Sequence, residues 1–358
     1  LQGHGTNDAP DVATHELDVP RIAFLHAWRR TQDEGWVRGA LDHYGVPYDY
    51  FADKLVAEGN LRERYDVIIY PHVGGNARSH VNGFAMTGDI PLPYRKTEQT
   101  PNLGGIDESD DIRGGMGWEG LVELANFVRE GGLLLVEGST SSIMPEYGVT
   151  TGVNIESPTG LTAPGSIHRG IIADKTSPIT YGYDGDQLPV YFKNDLVLST
   201  GGGGFGGRGF GRGGGAWQNT TPMARRPTLS DYENPEETAG LPGSAGGGGR
   251  GGFGRGRGGF GGGSSDNARV IMRFPRDADQ ILLSGTIRGA EALAGRAQVI
   301  DAPVGDGHVV MFSIRPFWRW QTQGTFFLGF NAILNWNDLD AGRDNDDDEP
   351  VTSPGNDK

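Results

Sequence analysis

Short apolar runs alternate with amphipathic segments along the first third of the chain, and that rhythm sets the expected fold. Residues 21–25 (RIAFL), 48–51 and 67–70 (VIIY) have strand length and strand composition. Between the first two, Val37, Ala40, Leu41 and Tyr44 fall at helical spacing, and Gly45-Val46-Pro47 stops that helix. A helical turn over 60–65 precedes the third run. The clearest unit is residues 121–142, LVELANFVREGGLLLVEGSTSS. Leu121, Leu124, Ala125 and Val128 share one helical face, Gly131-Gly132 supplies a left-handed cap, and Leu133 to Val136 is apolar without a break. A strand apolar on both faces needs cover above and below, which predicts a layered α/β domain with a mainly parallel sheet.

The pattern is looser elsewhere. Residues 71–117 read as one long loop rich in Gly, Pro and Asp. Strand-like pieces follow at 163–167, 189–198 (PVYFKNDLVL), 269–274 and 281–284. Residues 298–302 and 308–314, joined across Gly305-Asp306-Gly307, predict a hairpin. The last helix is expected over 325–336, with Phe326, Phe330, Ile333 and Leu334 on one face.

Composition changes this picture in one region. Of 358 residues 61 are glycine, and the excess is concentrated between 201 and 263, where GGGGFGGRGFGRGGG and GGGGRGGFGRGRGGFGGG flank a polar, Pro-containing middle that cannot bury a core. The expected organisation is a linker over 1–19, one α/β domain formed by 20–200 and 268–336, a Gly/Arg/Phe insertion over 201–267 and an acidic tail over 337–358. A net charge of −15 argues against a whole surface built for nucleic acid. The absence of cysteine excludes disulfides, thiolate metal sites and a cysteine nucleophile. No apolar run has membrane-spanning length and no signal peptide is legible. A chain beginning at Leu1 rather than Met is expected to be a processed product or a piece of something longer.

Five motif runs carry a family resemblance: GWVRGALDHYGVPYDY, NLRERYDVIIYP, FVREGGLLLVEGSTSS, APGSIHRG and GHVVMFSIRPFWRWQTQGTFFLGFNAIL. In that order they resemble the glutamine-amidotransferase-like domain that follows the catalytic domain in a set of bacterial zinc carboxypeptidases. The resemblance implies a flavodoxin-like, class I amidotransferase-like three-layer sandwich, an exported (secreted or periplasmic) setting, and an upstream peptidase domain that would hold the zinc. No cofactor is expected in this chain itself.

Chemistry is expected at the carboxyl ends of the strands. Amidotransferases place a cysteine on a strained turn after the strand that corresponds to residues 133–136; here the equivalent position is near Ser139, in Glu137-Gly138-Ser139, and G-x-S-x-G is not met. The family often carries a histidine near the last helix where this chain has Gln323. Ser139 is therefore either a nucleophile of a hydrolase or transferase, or part of a polar strand-end loop, with His168 and His308 as other bases to weigh. The expected ligand-binding group is Trp28, Arg29, Gly138, Ser139, Arg315, Trp318, Arg319 and Gln323, with Trp36, Trp118, Phe317 and Trp320 as further aromatic lining for a peptide or sugar. No histidine has Glu three residues later, so the carboxypeptidase zinc set is missing. His72 and His80, with Asp107, Glu108, Asp110 and Asp111, form a weaker metal set, weighed against a solvated loop. Arg208, Arg212, Arg250, Arg255 and Arg257 among phenylalanines form an alternative site for RNA or an acidic surface, and the run DNDDDE invites calcium but lacks the EF-hand glycine and distal glutamate.

Overall fold

The computed structural model describes residues 17–194, 196–200 and 268–343. The Gly/Arg/Phe insertion with its arginines, the start of the linker and the DNDDDE run lie outside the described residues. Twelve strands are described: β1 Ile22–His26, β2 Asp49–Ala52, β3 Val67–Tyr70, β4 Leu133–Glu137, β5 Val153–Glu156, β6 Ser166–Ile172, β7 Gln187–Phe192, β8 Val197–Thr200, β9 Arg269–Arg273, β10 Leu282–Ser284, β11 Ala297–Val304 and β12 Gly307–Phe312. The helices are α1 Gln32–Tyr44, α2 Leu61–Arg64, α3 Ala77–Asn82, α4 Gly117–Arg129, α5 Ile143–Glu146 and α6 Phe326–Leu334.

Five strands run parallel in the order β2-β1-β3-β4-β12. This is the flavodoxin-like order, the fifth strand being the last in the chain. Side-chain alternation divides the apolar strands between two layers. Ile68 and Leu134 join the core under α4, while Val67, Ile69, Leu133 and Leu135 join the core under α1 and α6. The result is helix, sheet and helix, as the unbroken apolar runs require.

The sheet is mixed, not mainly parallel. Beyond β12 it continues through β11, β9, β6 and β10 in antiparallel pairings, with β7, β8 and β5 attached. Short antiparallel strands alternate with turns and leave no long apolar run, so periodicity shows them poorly. The stretch PVYFKNDLVL is two strands, β7 and β8, broken at Lys193 and Asn194, the latter at φ +38°.

Helix α4 ends in a Schellman cap. Gly131 (φ +94°) donates its N–H to the Val128 carbonyl and Gly132 to that of Phe127, both at 3.0 Å. The second glycine is required for a separate reason: a Cβ there would lie 2.4 Å from the Phe127 ring. Helix α6 buries Phe326 and Ile333 and packs Phe330 on the core as expected, but its inward face also takes in Leu328, Gly329 and Ala332, and Leu334 is exposed.

The acidic tail starts later than 337. Leu339 is buried, Arg269 donates to the Leu339, Ala341 and Gly342 carbonyls, and Arg343 pairs with fully buried Asp301 at 2.6 Å. The other oxygen of Asp301 holds His308 at 2.7 Å, and Asp340 lies 3.5 Å from the far ring nitrogen. Burial opposes charge on this histidine, but the hydrogen bonds to Asp301 and Asp340 and their negative charges outweigh it and raise its pKa to about 9. A raised folded-state pKa contributes stability that is complete below the unfolded value near 6.5 and is lost as pH rises through about 9. Urea unfolding should therefore show a loss of roughly 3 kcal/mol across that window. His308→Gln should be less stable at pH 6 and nearly flat across it; an unchanged decline in the variant would count against the assignment.

Candidate functional site

The carboxyl ends of β1, β3, β4 and β12 meet at one edge of the sheet, and the turn after β4 organises them. Gly138 leaves the strand at φ +55°, the left-handed conformation that a strained nucleophile turn demands. A Cβ at Gly138 would lie 2.3 Å from Nδ1 of His72, so this position has neither a side chain nor room for one. The sequence places the nucleophile near Ser139; the structure puts the strained residue one position earlier.

The following hydroxyls tie strand ends together. The Ser139 Oγ accepts from the Gly74 N–H at 2.8 Å, and the Thr140 hydroxyl donates to the Tyr70 carbonyl at 2.8 Å. Ser141 donates to the Phe312 carbonyl at 3.0 Å and Ser142 to that of Ser139 at 2.7 Å. The turn thereby clamps β3, β4 and β12 in register. Backbone carbonyls at converging strand ends need donors, and short hydroxyl side chains supply them without bulk.

His72 is held on both sides. Its Nδ1 accepts the Ser139 backbone N–H at 3.0 Å, and its Nε2 lies 3.0 Å from an Nη of Arg315. Burial, then the charge of Arg315, drives its pKa down to about 2, so the ring is neutral. Because the fixed amide of Ser139 occupies Nδ1, the single ring proton belongs on Nε2. Arg315 is itself anchored by Asp33 in the first turn of α1, at 2.9 and 3.2 Å, a pair in which both side chains are buried.

Around these groups lies a cleft of about 520 Å³. Its polar lining includes His72, Asn76, Ser139, Glu146, Lys193 and Arg315, and its apolar lining Ile155, Pro158, Leu161 and Leu196. A second cleft of about 490 Å³ shares Lys193 and is lined by Trp318, Arg319, Tyr191 and Gly165. Trp318 is stacked on Tyr191 at 5.3 Å, with the Arg315 guanidinium 5.2 Å from its ring.

Of the expected ligand group, Gly138, Ser139 and Arg315 come together at the first cleft, and Trp318 and Arg319 at the second. Arg29 donates to the Ser79 carbonyl beside Gly75. Trp28 packs on His26 and Tyr94, and Gln323 is exposed outside both clefts. The wider aromatic set does not form one groove: Trp36 meets Trp318, but Trp118 packs on Tyr147 and Phe317 is in the core. Two cleft-forming residues were missed, Lys193 and Asn194, whose one visible signal is the polar break in an apolar run. Nothing in the sequence marks Asp33 as the partner of Arg315.

Three of the four acidic loop residues, Asp107, Asp110 and Asp111, are engaged away from His72 and His80. Asp107 holds His26 at 2.8 Å, Asp110 pairs with Arg95, and Asp111 holds Arg113 at 2.8 Å. His80 is buried against the Tyr70 ring, and burial lowers its pKa to about 4. Among the described residues no group of three His, Cys, Asp or Glu side chains has the arrangement to hold a metal ion. His168 is fully buried, held by Ser166 at 2.8 Å, and His308 lies in the Asp301 cluster, so neither reaches Ser139. No helix among the described residues is long and apolar enough to cross a membrane.

No family model matches the chain, and no curated protein matches its sequence. Solved structures do show distant likeness. PurLQS from Thermotoga maritima is 11% identical, with a TM-score of 0.43 over 89% of this chain and 99% of that one. A candidate GMP synthase subunit from Thermoplasma acidophilum is 7% identical, with a TM-score of 0.42 over 89% and 94%. A β-galactosidase from Bacillus circulans sp. alkalophilus is 10% identical, with a TM-score of 0.38 over 88% of this chain; the match spans 30% of the galactosidase.

Proposed function

We propose that the chain is a non-catalytic binding domain, the accessory module of an exported zinc carboxypeptidase-type metallopeptidase, and that it docks on the peptidase domain or holds peptide at its strand-end cleft. The observation that carries the non-catalytic reading is the turn after β4. Nucleophilic catalysis needs an exposed atom on the strained residue, a base beside it and donors for the developing oxyanion. Here the strained residue is Gly138, and the nearest imidazole has one nitrogen on the Ser139 amide while the other faces Arg315. The Ser139 hydroxyl is hydrogen-bonded to the Gly74 N–H, and among the described residues no imidazole or carboxylate hydrogen-bonds to it.

The peptidase context rests on the ordered motif runs, from GWVRGALDHYGVPYDY to the final GHVVMFSIRPFWRW segment. Zinc would belong to an upstream peptidase domain, because the donor sets of this chain do not fit it: no H-x-x-E pair in the sequence and no three-residue donor group among the described residues.

A fluorophosphonate probe followed by mass spectrometry should leave Ser139 unmodified; a covalent adduct there would overturn this reading. Ser139→Ala should behave as a structural variant, losing about 1 kcal/mol because the Gly74 N–H loses its acceptor. Gly138→Ala should cost more, about 2–3 kcal/mol, since it adds left-handed strain and a collision with His72. Denaturant unfolding measures both, and a neutral Gly138→Ala would refute the tight approach of ring and turn.

A further inference from the structure

Helix α6 lacks the charged outer face that a surface helix ordinarily has. Between Arg319 and Asp338 the chain carries no charged side chain, and the helix itself reads FFLGFNAIL. A helix that is apolar nearly all round is ordinarily buried on every side. Here Phe326, Leu328, Gly329, Ala332 and Ile333 are buried, while Phe327 stays 59% exposed and Leu334 46% exposed.

The elements beside α6 extend that outer face instead of closing it. On one flank Tyr44, at the end of α1 and 54% exposed, stands edge-on to Phe330 at 5.3 Å. On the other flank Asn331 donates to the Tyr181 carbonyl at 2.8 Å, and the Tyr181 side chain is 43% exposed. The Tyr183 ring stands edge-on to Phe327 at 6.4 Å. Uncharged aromatic and aliphatic side chains at the centre are the composition of an interface core. Charged groups stand at the rim, where Arg62 lies over the Trp336 ring at 5.1 Å and Asp18 accepts from Asn337 at 3.2 Å.

A contiguous apolar face on a domain marks a place where another surface belongs. The point at which the chain enters the domain says which one. The Asp18 carbonyl accepts from the Trp336 indole at 3.4 Å, so the chain arrives just past the carboxyl end of α6, and Leu17 and Val19 are exposed there. Residues 1–16 span no more than about 55 Å even when fully extended, and α6 is only about 14 Å long. A domain preceding Leu1 would therefore be tethered within reach of the whole face. Tethering of this kind gives an effective concentration near the millimolar range, so the face can hold its partner without high intrinsic affinity.

Resting on the reading of the chain as an accessory module, we propose that the outer face of α6, flanked by Tyr44 and Tyr181, is the surface that docks on the upstream peptidase domain, against an uncharged apolar patch of that domain. A second exposed apolar group supplies the comparison. Met86, Ile90, Leu92 and Ile106 belong to the loop between α3 and α4, which is fixed at the carboxyl end of β1 where Asp107 holds His26; the chain enters at the amino end of that strand.

Photo-crosslinking in the full-length protein tests the assignment. With p-benzoylphenylalanine in place of Phe327 or Leu334, crosslinks mapped by mass spectrometry should run to residues upstream of Leu1; the same probe in place of Ile90 should give none. Phe327→Asp combined with Leu334→Glu should cut the crosslink from a probe at position 44 at least roughly tenfold. Both side chains are exposed, so the same pair should leave the melting temperature of the present chain level. Crosslinks from positions 327 and 334 to a second copy, a peptidase domain reached from position 90 instead, or no crosslink from either α6 position would each overturn the proposal. The underlying reading fails in a separate way. A full-length protein with no H-x-x-E zinc site before Leu1 would refute the accessory-module reading and the proposal with it, whereas a peptidase domain that crosslinks elsewhere would refute the proposal alone.

Discussion

The close approach of the His72 ring to the backbone at Gly138 is the constraint on which the strand-end architecture depends. An imidazole 2.3 Å from where a Cβ would stand admits only glycine. Glycine in turn allows the left-handed turn that sends the chain from β4 into the hydroxyl clamp over β3 and β12. The same ring accepts the Ser139 amide and places its other nitrogen against Arg315, which reaches back to Asp33 in α1. One neutral histidine thus connects the ends of β3, β4 and β12 with the first helix. The turn is left-handed at Gly138, and the space that a side chain there would need is filled by the imidazole.

The parallel half of the fold was legible because its physics is local. Unbroken runs such as VIIY and LLLV are buried on both faces, helices such as α4 carry one apolar stripe, and Gly131-Gly132 declares its own cap. The antiparallel half was legible only in fragments. Its strands are short, β5 alternates weakly, and the pairing of β8 with β5 and β11 depends on partners distant in sequence. The inward face of α6 was legible at Phe326, Phe330 and Ile333 but not in its full extent, for a related reason. Gly329 is buried where the Phe317 ring packs closely on it, so contact with a neighbour rather than hydrophobicity set the face.

The site was legible in its location and less so in its chemistry. The carboxyl edge of β4 and the residues Gly138, Ser139 and Arg315 follow from the rule that α/β sheets place function at strand ends. Pairings such as Asp33 with Arg315, or Ser139 with Gly74, join residues far apart in the chain, and neither partner announces the other. Lys193 reaches the cleft only because β7 and β8 break where an apolar run is interrupted. The serines and threonine after Gly138 suggest reactivity in sequence; in space their hydroxyls satisfy backbone groups.

The protonation of His72 discriminates most sharply between a structural ring and a catalytic base. Long-range proton–nitrogen NMR of the imidazole, followed from neutral pH downward, reads its tautomer and its titration together. A ring locked between the Ser139 amide and Arg315 should carry its proton on Nε2 and stay neutral to below about pH 4. A ring that titrates near 6.5, or carries its proton on Nδ1 at neutral pH, would contradict the account and leave His72 able to act as a base.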